Sequence, residues 1–248
     1  MAMQFSPRAA TEREFLKALL SVAEKSGGLL RKYFRLTADG YEITDLEGLL
    51  VALKNYAVQL EPWAQKTAEK MLAKIEKQNA LAWKQAGLAE SAILVSESAA
   101  RLAGVELLRA QVDLIKSLPL QMAERVQTWA VEAQKGGRRA SEVATAIEHS
   151  TAIARNRAML IARTEIAKTN ATLTRARAEA CGVTHYIWRT MEDSAVREVH
   201  EQMDGLIFEF AVAPFVENEG YHHPGEFPNC RCYAEPIISQ KAENNNGE

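Results

Sequence analysis

Thr184-His185-Tyr186-Ile187-Trp188-Arg189-Thr190 decides the fold class. It is rich in aromatic and β-branched residues and predicts a strand. Downstream, Met191 to Met203 fits a short helix, and Asp204-Gly205 makes a turn into Leu206-Ile-Phe-Glu-Phe210, a second strand. Some twenty residues of Pro-, Gly- and Glu-bearing loop then lead to Cys230, with a final strand expected over about Arg231 to Ile238. Loops of that length usually bind, cover or dock something. The polar residues from Ser239 onward are expected to be disordered.

Upstream of Thr184 the periodicity is helical throughout. Thr11-x-x-Glu14 resembles a capping box opening a helix with Phe15, Leu19, Val22, Leu29 and Leu30 on one face, which Gly27-Gly28 is expected to loosen or end. Leu46, Leu49, Leu50, Leu53, Ala57, Leu60, Ala64, Met71 and Ile75 keep helical period, with Pro62 kinking that helix or starting a new one. A further helix covers Leu88 to Leu118. Pro119, at a first helical position, opens another with Met122, Val126, Trp129 and Ala133. Lys135-Gly-Gly-Arg-Arg139 predicts a basic turn, Ser141 a cap for a short helix, and Thr151 to Ala180 a longer helix stopped by Gly182. The fold class is therefore α+β. A long helical region (1–118) precedes a small mixed α/β module with a short antiparallel sheet (119–238) and a tail (239–248).

The 248 residues carry a formal charge of -2, so nothing global draws the chain to nucleic acid or a membrane. Charge is uneven: Thr151 to His200 holds eight Lys/Arg against five Asp/Glu, whereas Arg231 and Lys241 face nine acids from Glu201 onward. No stretch approaches the length of apolar residues needed to span a bilayer, and Met1-Ala-Met-Gln-Phe5 lacks the charged-then-apolar layout of a secretory signal. Synthesis in the cytoplasm is expected. Three cysteines make no disulfide framework there and would serve as thiols or metal ligands.

His222-His223-Pro-Gly-Glu-Phe-Pro-Asn229-Cys230-Arg231-Cys232 concentrates two histidines and two cysteines in eleven residues. Cys230 and Cys232, two apart on a strand, would share a face and could bind a metal with His200, His222 or His223, zinc being the natural ion. The C-x-C spacing is shorter than usual in zinc sites, and buried packing or redox chemistry are the alternatives. A cysteine nucleophile would need a histidine base and an acid such as Asp193. Asp193, Arg197 and His200, spaced by four and three, predict one helix face with an Asp193–Arg197 surface pair. Arg155, Arg157, Arg163, Lys168, Arg175 and Arg177 could meet phosphates, although their spacing wraps around the helix. For a hard-metal hydrolase or nuclease using His200, His222, His223 and the cysteines, only Glu192 and Asp193 stand near as carboxylates.

In order, Arg163-Thr164-Glu165, Asn170, Gly182, Trp188-x-Thr190, Asp193, Arg197, His200, Asp204-Gly205, Phe208, His223-Pro224, Asn229-Cys230-Arg231-Cys232 and Pro236 resemble the phage Mu F-like head morphogenesis family. The resemblance covers about residues 115 to 238. It implies a non-enzymatic minor head protein of a tailed phage or prophage, made in the host cytoplasm and held in the virion near the portal vertex. The portal protein, and scaffold or major capsid protein, are the implied partners, with nonspecific double-stranded DNA contact through Arg155, Arg157, Arg175 and Arg177. It groups Arg163, Glu165, Trp188, Asp193, His200, Asn229, Cys230 and Cys232 in one module as structural residues. Arg163 and Glu165 would tie the long helix to the sheet and Trp188 would fill the core. Asp193 with His200 would hold the Cys230–Cys232 strand, by hydrogen bonds or a structural zinc on His200, Cys230 and Cys232. Some relatives carry C-terminal toxin domains; with ten residues after Ile238, none is expected here.

Overall fold

A computed structural model describes the backbone of residues 2–37, 40–88, 90–136 and 140–238, with side chains described except at 2–3, 36–42, 90–91, 133–136 and 140–148. Ser141 was expected to cap a short helix but stands inside the helix Ala140–Ala180, and Lys135 and Gly136 of the expected basic turn end the helix Glu90–Gly136; residues 137–139 and the tail from Ser239 lie outside the described residues. After a 3-10 turn (Ala2–Phe5) come α1 (Ala9–Lys32), β1 (Phe34–Thr37), β2 (Gly40–Ile43), α2 (Leu46–Gln59), α3 (Glu61–Gln85), α4 (Glu90–Gly136) and α5 (Ala140–Ala180). The C-terminal elements are β3 (His185–Arg189), α6 (Glu198–Glu201), β4 (Ile207–Glu209), β5 (Phe215–Val216), β6 (Gly220–Tyr221) and β7 (Tyr233–Pro236). The α+β class holds, with long helices first and a small antiparallel sheet last. Among the described residues, no helix is long and apolar enough to cross a membrane.

The chain divides into two compact units. One takes Glu12–Met71 and Leu108–Ala162, and its core gathers Ala23, Leu30, Leu49, Leu53, Met122, Ala123, Val126 and Ala154. Helix α2 starts where Asp45, in extended backbone, accepts a hydrogen bond from the Gly48 amide at 2.8 Å. The β1–β2 hairpin, pairing Phe34 with Ile43, was not expected from helical periodicity.

Several helix boundaries differ from the expected ones. Helix α1 begins before Thr11 and runs through Gly27-Gly28. A Cβ on Gly27 would come 2.7 Å from Thr151 Oγ1, so this glycine admits α5 at close range rather than ending a helix. Helix α4 likewise runs through Pro119. An interior proline costs about 3 kcal/mol, which the apolar stripe of Ile115, Leu118, Met122 and Val126, buried on both sides of it, offsets. Helix α5 is unbroken from Ala140, since no Gly or Pro interrupts it. Pro62 stands in the first turn of α3, where its missing N–H costs nothing.

The packing around Gly27 gives a paired prediction. Gly27→Ala is expected to lose about 1–3 kcal/mol through overpacking against Thr151. Gly28→Ala, whose Cβ meets nothing nearer than 3.9 Å, should gain about 0.5–1 kcal/mol from helix propensity. Urea denaturation followed by circular dichroism reads both, and equal shifts would refute the close approach.

The other unit draws on residues up to Thr11, on Leu72–Leu107 and on residues from Arg163 onward. Helix α5 ends as a Schellman cap: Gly182 takes φ +70, its amide donates to Glu179 O at 3.2 Å, and the Val183 amide donates to Ala178 O at 2.8 Å. The chain then enters β3, the middle strand of a sheet ordered β4-β3-β7, antiparallel throughout. Alternation sends Tyr186 and Trp188 of β3 into the core, where Trp83, Met203, Phe210, Val216, Cys230 and Tyr233 meet them. Phe5 joins edge-on against Trp83 at 5.7 Å. Buried amides add specificity: Asn170 Nδ2 donates to Phe5 O at 2.8 Å, and Asn79 Nδ2 donates to Asn170 Oδ1 and to Thr174 Oγ1.

Candidate functional site

The expected helix from Met191 to Met203 shrinks to α6, because Asp193 accepts from the Ala195 amide at 3.1 Å and thereby offers the backbone a turn in place of a helix. Asp193, Arg197 and His200 consequently share no helix face, and the expected Asp193–Arg197 pair does not form. Asp193 instead takes Arg231 at 2.6 Å, a bond that holds its carboxyl below the usual range. Arg197, at the cap of α6, sends Nε to Glu219 at 3.2 Å and Nη2 to Pro228 O at 2.7 Å.

The final strand is also shorter than expected. Asn229 adopts φ +61 and the Cys230 amide donates back to Phe227 O, a turn that keeps residues 230–232 ahead of β7. The loop lodges against α5: the Asn229 amide donates to Thr164 Oγ1 at 3.0 Å, and Gly225, at φ +89, leaves a Cβ position only 3.0 Å from Cys232 O and 3.2 Å from Ala167 O. Only glycine suits both the dihedral and the space. The loop was expected to lack structure of its own, yet it contains the β5–β6 pair.

His200 is the centre of the site and is 1% exposed. Its Nδ1 lies 3.6 Å from Cys230 Sγ and 3.5 Å from Cys232 Sγ. Its Nε2 lies 2.8 Å from Glu219 Oε2, and the same oxygen lies 3.0 Å from His222 Nε2. His222 Nδ1 faces His223 O at 3.1 Å, and His223 Nδ1 meets the Tyr186 hydroxyl at 2.9 Å. Trp188 closes the floor, edge-on to the His200 ring at 5.5 Å. The cysteines, His200 and Glu219 are all buried, and Met191, Ala195, Val196, Arg197, Asn229 and Arg231 line a shallow pocket leading to them.

The two thiols shift one another in opposite directions. A hydrogen bond from Cys232, with His200 adjacent, brings Cys230 down to about 4 despite its burial. The bond to Cys230 and burial together push Cys232 up. Burial lowers the His200 pKa, but Cys230 and Glu219 outweigh it and raise the net value. Burial lowers His223. Two donor sets emerge, His200/Cys230/Cys232 and His200/Glu219/His222, each with ligand atoms within 4.8 Å of one another.

The structure thus brings together Trp188, His200, Cys230 and Cys232, with Asn229 at the turn. Asp193 is no neighbour of the sulfurs themselves but grips the same segment through Arg231, the residue between the two cysteines, at 2.6 Å. In α5, Glu165 and the Arg163 Nε are buried, and the Arg163 charge helps to lower Asp193. Glu219 went unnoticed in the sequence, although Glu219-x-x-His222 sets both side chains within reach of one another.

The arginines named for DNA contact all lie on α5. Arg155 and Arg157 belong to one unit and Arg175 and Arg177 to the other. Arg177, expected at a DNA contact, is instead fully buried and donates to Ser96 Oγ at 2.9 Å, so no phosphate can reach it. Arg175 lies 3.4 Å from Glu226, and Arg155, largely exposed, lies 3.9 Å from Glu24.

Residues 124–235 match the family described as "Phage Mu protein F like protein". An uncharacterized protein of Haemophilus influenzae is 36% identical over 132 residues, which make up 53% of this chain and 29% of that protein. The chain therefore spans less than a third of that relative's length. No solved structure matches the chain.

Proposed function

We propose, from the premise that residues 124–235 belong to the phage Mu protein F-like family, that this chain is a minor head protein of a tailed phage or prophage. It joins the portal vertex during procapsid assembly and stays in the head. The family match is the observation that carries this reading. The surface of α4 supports it, because Leu94, Val95, Leu102 and Val105 are all more than half exposed and fall within about 100° of one another around the helix. An apolar helix stripe of this kind fits a groove on a protein partner. The α5 arginines argue for protein contact over DNA contact, since Arg177 is buried and Arg175 faces Glu226.

Co-expression of the full chain with the portal protein of the same genome tests the proposal. The chain is expected to co-purify with the portal ring, and Leu94→Asp with Leu102→Asp should abolish that association while leaving the circular dichroism spectrum intact. A chain that never migrates with portal rings and is missing from purified heads would overturn it.

A further inference from the structure

We infer that His200 Nδ1, Cys230 Sγ and Cys232 Sγ form a zinc site, with a fourth coordination position open toward the shallow pocket lined by Ala195, Val196 and Asn229. The site does not depend on the head-protein assignment.

The distances fit the ion. Zinc–sulfur bonds of about 2.3 Å and zinc–nitrogen bonds of about 2.0–2.1 Å at tetrahedral angles put nitrogen and sulfur about 3.6 Å apart. His200 Nδ1 lies 3.5 and 3.6 Å from the two sulfurs. Both distances match that separation, and the two sulfurs lie within 4.8 Å of one another.

The groups behind the donors are also those a zinc ligand needs. A ligating histidine presents a lone pair from one nitrogen and donates its other N–H to an acceptor, commonly a carboxylate. Glu219 Oε2, 2.8 Å from His200 Nε2, is that acceptor, and it leaves Nδ1 as the lone-pair nitrogen facing the sulfurs. Arg197 and His222 hold the same carboxylate in place. Among the described residues, no fourth Cys, His or carboxylate joins the three, which leaves the remaining position to solvent.

A cysteine nucleophile is the competing use of these groups, since Cys230, His200 and Glu219 also stand in sequence as thiol, base and acid. One feature favours metal. A nucleophile needs one thiol beside the base, whereas two stand at nearly equal range. The second donor set, His200/Glu219/His222, is a hydrogen-bonded cluster, because Glu219 Oε2 already sits at hydrogen-bond distance from both rings.

The test uses the full untagged chain, made with zinc in the medium and purified under reducing conditions without chelator. Elemental analysis is expected to find about one zinc per chain. A mercurial reagent should release it as Cys230 and Cys232 are modified, with Cys181→Ser removing the third thiol from the titration. Cobalt in its place should give thiolate-to-metal charge transfer and the ligand-field bands of a tetrahedral site. Glu219→Gln should stay folded and bind zinc about 10–100-fold more weakly in competition with a chromophoric chelator. Cys232→Ser should bind none. The inference is overturned if the folded wild-type chain carries substoichiometric zinc and shows no cobalt charge transfer. It is equally overturned if iodoacetamide alkylates Cys230 as fast in zinc-treated as in chelator-treated protein, the behaviour of a free nucleophile.

Discussion

Trp188→Ala is expected to lower the unfolding free energy by about 3–5 kcal/mol, the usual cost of deleting a fully buried aromatic ring. For a chain of this size each kcal/mol corresponds to about 2–4 °C, so the melting temperature should fall by about 6–20 °C. The effect is large because Trp188 sits on the middle strand of the sheet, touches His200, His222 and Phe208 edge-on or tilted, and has no exposed surface. No neighbour can collapse into its space, since the strand is fixed on both sides by β4 and β7. Trp63→Ala, at a site 39% exposed, should cost far less. Equal losses in the two variants would show that the sheet's inner face is not the centre of this core.

Glu219→Ala should be comparably damaging, at about 3–5 kcal/mol, by a different route. Its carboxylate is the shared acceptor for His200 Nε2, His222 Nε2 and Arg197 Nε, and its side chain is 7% exposed. Removing it takes the acceptor from the Nε2 atoms of two buried rings and from Arg197 Nε, which keeps its bond to Pro228 O through Nη2, and the unpaired buried rings are the larger part of the cost. The measurement belongs in chelator-treated protein, so that metal binding does not contribute to the difference. Arg197→Ala combined with Glu219→Ala should lose less than the two single variants together, by about 0.5–3 kcal/mol of coupling. If Glu219→Ala costs no more than Glu198→Ala, an exposed position on α6, the cluster does not hold the loop.

How far the sequence disclosed this arrangement follows from the range of each signal. Schellman closure at Gly182 and burial of Tyr186 and Trp188 on alternate positions of β3 are local, and local patterns are readable. The pairing of His200 with Cys230 and Cys232 was legible for another reason: so few histidines and cysteines exist that scarcity narrows the partners. Glu219 was hidden because it is one acid among several in a Pro- and Gly-bearing loop. Only the folded loop, turning through positive φ at Asn218 and Gly220, brings it under two rings.

Misplaced boundaries share a cause as well. Gly27 and Pro119 are helix breakers by propensity, and tertiary packing overrides propensity where close approach or a continuous apolar stripe is at stake. Asp193 misled in the opposite direction. Its spacing to His200 suits a helix, but its own side chain ties the backbone into a turn. The β1–β2 hairpin escaped notice because four-residue strands between helices carry too few residues for periodicity to show.

The amide of Asn170 bound to the carbonyl of Phe5 closes a loop of 165 residues, and this has a consequence for the order in which the chain folds. Closing so long a loop carries an entropic penalty that only later contacts can recover. During synthesis the first residues leave the ribosome long before Asn170 or the sheet exists, so their core positions must wait for α5 and β3. The unit of Glu12–Met71 and Leu108–Ala162 has all its residues once Ala162 is made, whereas the one bearing His200 matures last, only after the C-terminal strand has been made.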